Sequence, residues 1–316
     1  MAGDARAGWS IAVHGGAGSM TPDSLSPPDE AQCRAGLARA LDAGATVLKQ
    51  GGGALDAVCV AACMLEDDPQ FNAGRGAVFT REGRIELDAA TMDGRDQRAG
   101  AVAGVTTVRN PVLLARAVME RSPHVFLARE GAEQFAREAG FATADPAWFA
   151  TAERRRQLDE MLAADGDGFD AAMKYGTIGV VARDGAGHLA AATSTGGLTG
   201  KRWARIGDTP VIGAGTWAED GVCAVSATGN GEVFIRLAAA HEIAARIRLA
   251  GQSAREAVDG VIARVGQLDG KGGVIVIDRN GGIAMAFNTP GMFRGWRDCS
   301  GGGNVAVFQP GVEREA

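Results

Sequence analysis

Residues 176–197 read Gly176-Thr177-Ile178-Gly179-Val180-Val181-Ala182-Arg183-Asp184-Gly185-Ala186-Gly187-His188-Leu189-Ala190-Ala191-Ala192-Thr193-Ser194-Thr195-Gly196-Gly197. Two β-rich runs, residues 177–183 and 188–195, flank the turn Asp184-Gly185-Ala186-Gly187, so the segment predicts an antiparallel hairpin. Counting outward from Ala186 sets Thr195 opposite Thr177, where facing Cβ atoms stand about 4.5–5.5 Å apart. Moving the turn by one residue destroys that pairing. Threonines also pair in strands simply because a branched side chain suits a pleated surface. Taken alone, the hairpin therefore favours the structural reading over a chemical one.

Upstream, residues 9–13 predict a short strand ending in the glycine loop His14-Gly15-Gly16-Ala17-Gly18. Leu37, Ala40, Leu41, Ala45 and Leu48 recur at helical spacing over residues 29–49. Gly51-Gly52-Gly53 stops that helix, and residues 54–65 begin a second, nearly all apolar and therefore buried. Asn72 to Gly76 is a glycine turn, residues 102–108 a strand, and residues 112–120 a helix led by Pro111. Residues 151–176 are charged and broken by glycine, and read as a linker or mobile segment. Within it Arg154, Arg155 and Arg156 predict a solvated helix face, and Asp165-Gly166-Asp167 is no calcium loop because Phe169 takes the next ligand position. Downstream follow a strand at 222–228, helices at 232–250 and 254–268, and a hairpin of residues 273–278 and 283–287.

Composition narrows the function classes. Glycine supplies 47 of 316 residues, about 15% and roughly double average usage. It has no three-residue period, which excludes collagen. With 46% hydrophobic and 22% charged residues the chain can bury a core. A net charge of −6 and 5% aromatics give no basic or base-stacking footprint for nucleic acid. The five cysteines are odd in number and irregularly spaced, unlike a disulfide framework, and Cys59 and Cys63 read as core thiols. His14, His124, His188 and His241 have no metal-ligand spacing. The N-terminal residues carry Asp4 and only a short apolar run, with no secretory or membrane-spanning segment, so the cytoplasm is the expected compartment.

For chemistry, the chain lacks a Gly-x-Ser-x-Gly elbow, and Gly229-Asn230-Gly231 lacks the Lys-Ser/Thr pair of a phosphate loop. A strand-glycine-helix junction at Thr228-Gly229 would suit an oxyanion hole, since backbone N–H groups there are not screened by a side chain. One open reading is a non-catalytic small-molecule-binding protein that uses its glycine loops.

Eight segments then occur in order: His14-Gly15-Gly16-Ala17-Gly18, Phe71-Asn72-Ala73-Gly74, Gly176-Thr177-Ile178-Gly179, Thr193-Ser194-Thr195-Gly196-Gly197, Arg205-Ile206-Gly207-Asp208, Ser226-Ala227-Thr228-Gly229, Gly231-Glu232-Val233-Phe234-Ile235-Arg236 and Phe287-Asn288-Thr289. Over roughly residues 9–296 the chain resembles the plant-type asparaginase/isoaspartyl aminopeptidase family of N-terminal-nucleophile hydrolases. The resemblance implies an α+β fold, a four-layer αββα sandwich. It also implies a precursor that cuts itself between Gly176 and Thr177 into subunits of residues 1–176 and 177–316, together one domain. Thr177 would be the nucleophile, its freed α-amine the base, and Thr195 a supporting hydroxyl. Thr228 and Gly229 would form the oxyanion hole. Arg205 would grip the substrate α-carboxylate, Asp208 and the Gly231 carbonyl the α-ammonium, and Asn72 would line the site.

The implied substrates are isoaspartyl dipeptides and L-asparagine, with no cofactor needed for catalysis. A structural sodium ion would bind main-chain oxygens of Leu65, Glu66, Asp68, Phe71, Ala73 and Arg75. A dimer of cleaved protomers is implied, with no nucleic-acid or membrane partner. Glycosylasparaginase is the near alternative, disfavoured by the missing disulfide pattern. The family often reads Asn-Lys-x-Pro-Gly-Arg where this chain has Gly200-Lys201-Arg202-Trp203-Ala204-Arg205, so Arg205 is kept while the loop before it is altered.

Overall fold

Strand β1 (Ser10–Gly18) turns Ile11 and Val13 to one hydrophobic cluster and Ala12 to another, the two-residue alternation of a strand covered on both faces. The computed structural model describes residues 8–164 and 176–312. After β1 come α1 (Pro27–Lys49), α2 (Ala54–Glu66), β2 (Leu87–Asp93), β3 (Ala99–Val105) and α3 (Pro111–Arg121). Then follow β4 (Phe126–Ala128), α4 (Arg129–Glu138), the single turn α5 (Pro146–Phe149) and α6 (Ala152–Ala163). Beyond residue 175 lie β5 (Ile178–Arg183), β6 (Leu189–Thr195), β7 (Thr216–Glu219) and β8 (Cys223–Gly229). Helices α7 (Gly231–Leu237), α8 (Ala239–Ala250) and α9 (Ala254–Gln267) precede β9 (Gly272–Asp278), β10 (Ile283–Phe287), β11 (Gly291–Asp298) and β12 (Gly303–Phe308).

The strands form two sheets, ordered β12-β11-β1-β5-β6-β2-β3-β4 and β10-β9-β8-β7. Strands β1, β5 and β6 pack face to face on β9, β8 and β7, with Val181, Ala191, Ile275 and Ile277 between them. Helices α1, α2 and α3 cover the outer face of the large sheet, and α8 and α9 that of the small one. The layers are therefore α, β, β, α, the sandwich expected of an N-terminal-nucleophile hydrolase.

The hairpin register is as the sequence implies. Ile178 pairs with Ser194 and Gly179 with Thr193, so continuing the ladder by one residue brings Thr177 to Thr195. The turn is pinned by Asp184, whose Oδ1 accepts from the N–H groups of Ala186 (2.9 Å) and His188 (3.0 Å).

Four local expectations change. The glycine run after His14 is not a loop but the second half of β1, paired through Gly18 with β11 after a bulge between His14 and Gly16. Residues 151–164 are not linker: Thr151 caps α6 by accepting from Arg154 N–H, while residues 165–175, including the rejected calcium loop, lie outside the described residues. Arg154 leaves the solvated face and is 3% exposed, its Nε donating to the Gly76 carbonyl at 2.7 Å. The single helix expected over 232–250 breaks at Ala238, whose φ of 46° is left-handed.

Candidate active site

Thr177 sits one residue before β5, at the edge where the two sheets face each other, and is 8% exposed. Its hydroxyl donates to Thr195 Oγ1 at 3.1 Å. Thr195 Oγ1 also accepts from the Gly197 N–H at 3.0 Å. The glycine turn after β6 is held in turn by Asn72, whose Nδ2 donates to the Gly197 carbonyl (2.8 Å) and whose Oδ1 accepts from Val78 N–H (3.0 Å). A Cβ at Gly196 would stand 2.5 Å from Asn72 Oδ1, so only glycine lets the turn approach.

Gly176 is gripped from two sides. A Cβ on Gly16, whose φ is +109°, would fall 2.4 Å from Gly176 N, and a Cβ on Gly176 would fall 2.6 Å from Thr228 Oγ1. The β1 bulge and the end of β8 thus close on the peptide that precedes Thr177. The Thr228 hydroxyl is buried and has no hydrogen-bond partner among the described residues. A buried hydroxyl without a partner carries a desolvation cost that a ligand or reacting oxygen would relieve.

Arg205, Asp208 and Gly231 come together at the start of α7. A Cβ on Gly231 would lie 2.8 Å from Arg205 Nη2 and 3.0 Å from Asp208 Oδ1, so the glycine is the floor between a cation and a carboxyl. Arg205 does not form the i, i+3 ion pair with Asp208 that the spacing allows. Its Nε and Nη2 instead hold Glu232 Oε1 and Oε2, both at 2.8 Å, a bidentate pair that fixes the plane of the guanidinium. Asp208 is 3% exposed, its Oδ2 has no partner among the described residues, and burial raises its pKa to about 7 against the lowering effect of Arg205. A cation binding there would satisfy it.

Three residues enter the site that their types alone did not single out: His14, Ser226 and Glu232. Fully buried His14 has Nδ1 3.0 Å from the Thr177 carbonyl and Nε2 2.9 Å from Ser226 Oγ. A carbonyl can only accept, so Nδ1 carries the proton and Nε2 accepts from Ser226. Ser226 Oγ then accepts from Thr193 (2.8 Å), and Thr193 from Thr216 (2.7 Å), a hydroxyl chain running from β8 across β6 to β7. Burial lowers the His14 pKa to about 3, partly offset by the bond to Thr177, so the ring stays neutral. Gly179 leaves room for this pair, since a Cβ there would lie 1.9 Å from Ser226 Oγ. Replacing His14 by Leu is expected to cost about 1–3 kcal/mol, because buried hydroxyl and carbonyl groups lose their partner. His14→Asn, which keeps a donor near the Nδ1 position, should cost less. Urea-unfolding midpoints test this, and equal stability of His14→Leu and wild type would contradict it.

The proposed ion-binding loop, residues 65–75, is closed on itself. Arg75 N–H donates to the Glu66 carbonyl (2.7 Å), Phe71 N–H to that of Asp68 (3.2 Å) and Asp68 N–H to that of Leu65 (3.4 Å). Carbonyls of Pro69 and Phe71 converge within 2.5 and 2.8 Å of where a Gly76 Cβ would be. Such a set offers hard oxygen donors only, which fits an alkali or alkaline-earth cation. No group of three or more His, Cys, Asp and Glu able to hold a metal occurs among the described residues.

A sandwich whose facing sheets deliver a threonine hydroxyl, a second hydroxyl and an arginine-carboxyl clamp defines a class of amide hydrolases. The chain belongs to the asparaginase family, whose model matches residues 7–307. It is 48% identical to an isoaspartyl peptidase of Salmonella typhimurium over 90% of this chain and 94% of that protein. An isoaspartyl peptidase of Escherichia coli is 47% identical over 90% of this chain and 92% of its own length. A probable isoaspartyl peptidase/L-asparaginase 2 of Arabidopsis thaliana is 40% identical over 96% and 99%.

Proposed function

We propose that this chain is an autoprocessed hydrolase of β-aspartyl amide bonds that releases L-aspartate from isoaspartyl dipeptides and L-asparagine. The observation that carries the reading is the Thr177–Thr195 hydroxyl pair, 3.1 Å apart, immediately after a glycine closed upon by Gly16 and Thr228. In the precursor, Thr177 Oγ1 attacks the Gly176 carbonyl carbon, the C–N bond breaks, and the nitrogen takes the hydroxyl proton. Water then hydrolyses the resulting ester. The products are residues 1–176 and 177–316, which remain one sandwich domain.

The freed α-amine, with an unperturbed pKa of about 7.7–8.0, becomes the base that the precursor lacks. It takes the Thr177 hydroxyl proton as Oγ1 attacks the substrate side-chain carbonyl. Thr195 supports the hydroxyl, and Thr228 with the Gly229 N–H receives the developing oxyanion. The protonated amine gives its proton to the departing ammonia or amino acid, and water hydrolyses the acyl-enzyme. Arg205 holds the substrate α-carboxylate, Asp208 and the Gly231 carbonyl hold its α-ammonium, and Asn72 lines the site. A structural sodium on main-chain oxygens of Leu65, Glu66, Asp68, Phe71, Ala73 and Arg75 fits the closed loop.

Two such cleaved protomers form the working dimer. Five free cysteines support operation in a reducing compartment, the cytoplasm. Among the described residues no helix is long and apolar enough to cross a membrane.

Incubating the purified protein with β-aspartyl-leucine and with L-asparagine tests the reading. Release of aspartate from both is expected, and release from neither contradicts it. The pH profile follows from two groups. Asp208, titrating at about 7, must be ionised to hold an ammonium, and the Thr177 amine must be unprotonated to act as base. Both protonate as pH falls, so kcat/KM is expected to decline about tenfold or more per unit below pH 7. A kcat/KM that rises between pH 8 and pH 6 would contradict these roles.

A further inference from the structure

Phe287-Asn288-Thr289 has no part in the site described so far, yet it grips the strand that backs the Thr228-Gly229 junction. Asn288 follows β10, whose last paired residue, Phe287, faces Gly273 of β9. Asn288 is exposed, but its polar groups are committed. Its N–H donates to the Gly272 carbonyl (3.0 Å), its Oδ1 accepts from the Gly272 N–H (2.8 Å), and its Nδ2 donates to the Gly270 carbonyl (2.9 Å). Asn230, the residue after β8, holds Lys271 from the other side. Its N–H donates to the Lys271 carbonyl (2.8 Å), and its Oδ1 accepts from the Lys271 N–H (2.7 Å). Residues 270–272 are therefore clasped between two asparagines at the ends of β8 and β10. Water could satisfy the same donors and acceptors, but it would not fix where they stand.

That segment sets the direction of the Gly229 N–H. Gly229 faces Gly272 across the β8–β9 ladder. The Asn230 N–H bonds to the Lys271 carbonyl, so Gly229 and Gly272 form a non-hydrogen-bonded pair, each N–H turned away from the other strand. The Gly272 N–H is the one that Asn288 takes. The Gly229 N–H leaves on the opposite edge. There the pairing with β7 ends at Thr216 opposite Ser226, beside the bond from Ala227 N–H to the Gly215 carbonyl (2.9 Å). The two backbones touch closely: a Cβ on Gly229 would lie 2.3 Å from the Lys271 carbonyl oxygen, and one on Gly272 2.3 Å from that of Thr228. Gly229 has a φ of 146°, which glycine enters freely and other residues avoid. With no side chain of its own to lock it, this peptide takes its orientation from the segment it packs on.

We propose that Asn288 and Asn230 are positioning residues of the oxyanion hole: they fix residues 270–272, and that segment aims the Gly229 N–H at the developing oxyanion. This rests on the function proposed above, in which Thr228 and Gly229 receive that charge. An oxyanion hole works through donors already in place when the charge develops. A loosened backing strand therefore slows the chemical step, while Arg205 and Asp208 still bind the ground state.

The test is steady-state kinetics of Asn288→Ala and Asn230→Ala on β-aspartyl-leucine, with kcat counted per Thr177 N-terminus so that uncut chains do not enter it. Asn288→Ala is expected to lower kcat about tenfold, part of the roughly 10²–10³-fold that loss of a whole oxyanion-hole donor costs. Its KM should stay within about twofold of wild type. Asn230→Ala should lower kcat as well, and it carries the test if Asn288→Ala does not fold. Val276→Ala, which opens a cavity in the buried middle of β9, is the control for lost stability and should keep the wild-type kcat. Unchanged kcat in the asparagine variants, a loss carried by KM in Asn288→Ala, or an equal fall in Val276→Ala would overturn the positioning role and leave the hydrolase reading intact. No turnover of β-aspartyl-leucine by wild type would sink both.

Discussion

Thr177→Ala is expected to leave the chain whole on a denaturing gel and to lower hydrolysis by on the order of 10⁴-fold or more, the scale seen when a covalent nucleophile is removed. One substitution should produce both effects because one oxygen performs both reactions. The Thr195 hydroxyl cannot take over, since Thr195 ends β6 in mid-chain and has no free α-amine to activate it. The fold should survive, because among the described residues the lost group makes a single hydrogen bond, to Thr195. Retained turnover in an uncut Thr177→Ala chain would assign the chemistry to another residue.

Arg205→Ala has the second-largest expected effect, and it separates the two activities. Removing the guanidinium deprives the substrate α-carboxylate of its partner and leaves Glu232 facing the vacated clamp. It also removes the cation that opposes the upward shift of the Asp208 carboxyl. Truncating one side of a buried charge pair costs about 2–5 kcal/mol, which corresponds to a fall in kcat/KM of about 30- to 5,000-fold. Arg205→Lys should recover little, because an ammonium cannot reproduce the bidentate fork toward both Glu232 and the substrate. Cleavage before Thr177 should continue in both variants, since Gly176 lies against Gly16 and Thr228 rather than against Arg205. A near-normal KM for L-asparagine in Arg205→Ala would remove the clamp from the account.

What could be read in the sequence was local. The hairpin register follows from the length of the Asp184-Gly185-Ala186-Gly187 turn, because an Asp side chain fixes that turn within five residues. Helices α1 and α9 were legible because an apolar face repeating over three or more turns is a strong signal, and α2 because its run is nearly all apolar after a glycine stop. The strand character of Gly15 to Gly18 was not, since glycine favours loops until a partner strand such as β11 supplies the hydrogen bonds. Nor could β2 be anticipated: it is buried on both faces and shows no alternation to read.

At the site, Thr177, Thr195, Arg205 and Asp208 were named from ordered motifs. The contacts that orient them join residues far apart in the chain. His14 meets Thr177 across 163 positions and Ser226 across 212, separations over which spacing carries no signal. Burial of Arg154 was equally hidden, because its partner is the main chain of Gly76, 78 residues away.

The central claim is that Thr177 becomes an N-terminus before it becomes a nucleophile. N-terminal sequencing of the purified active protein, with the masses of its fragments, tests this most directly. Two fragments are expected, one beginning Thr177-Ile178-Gly179 and ending at the C-terminus of the chain. A protein that hydrolyses β-aspartyl-leucine at full rate while Gly176 and Thr177 remain joined would contradict the account.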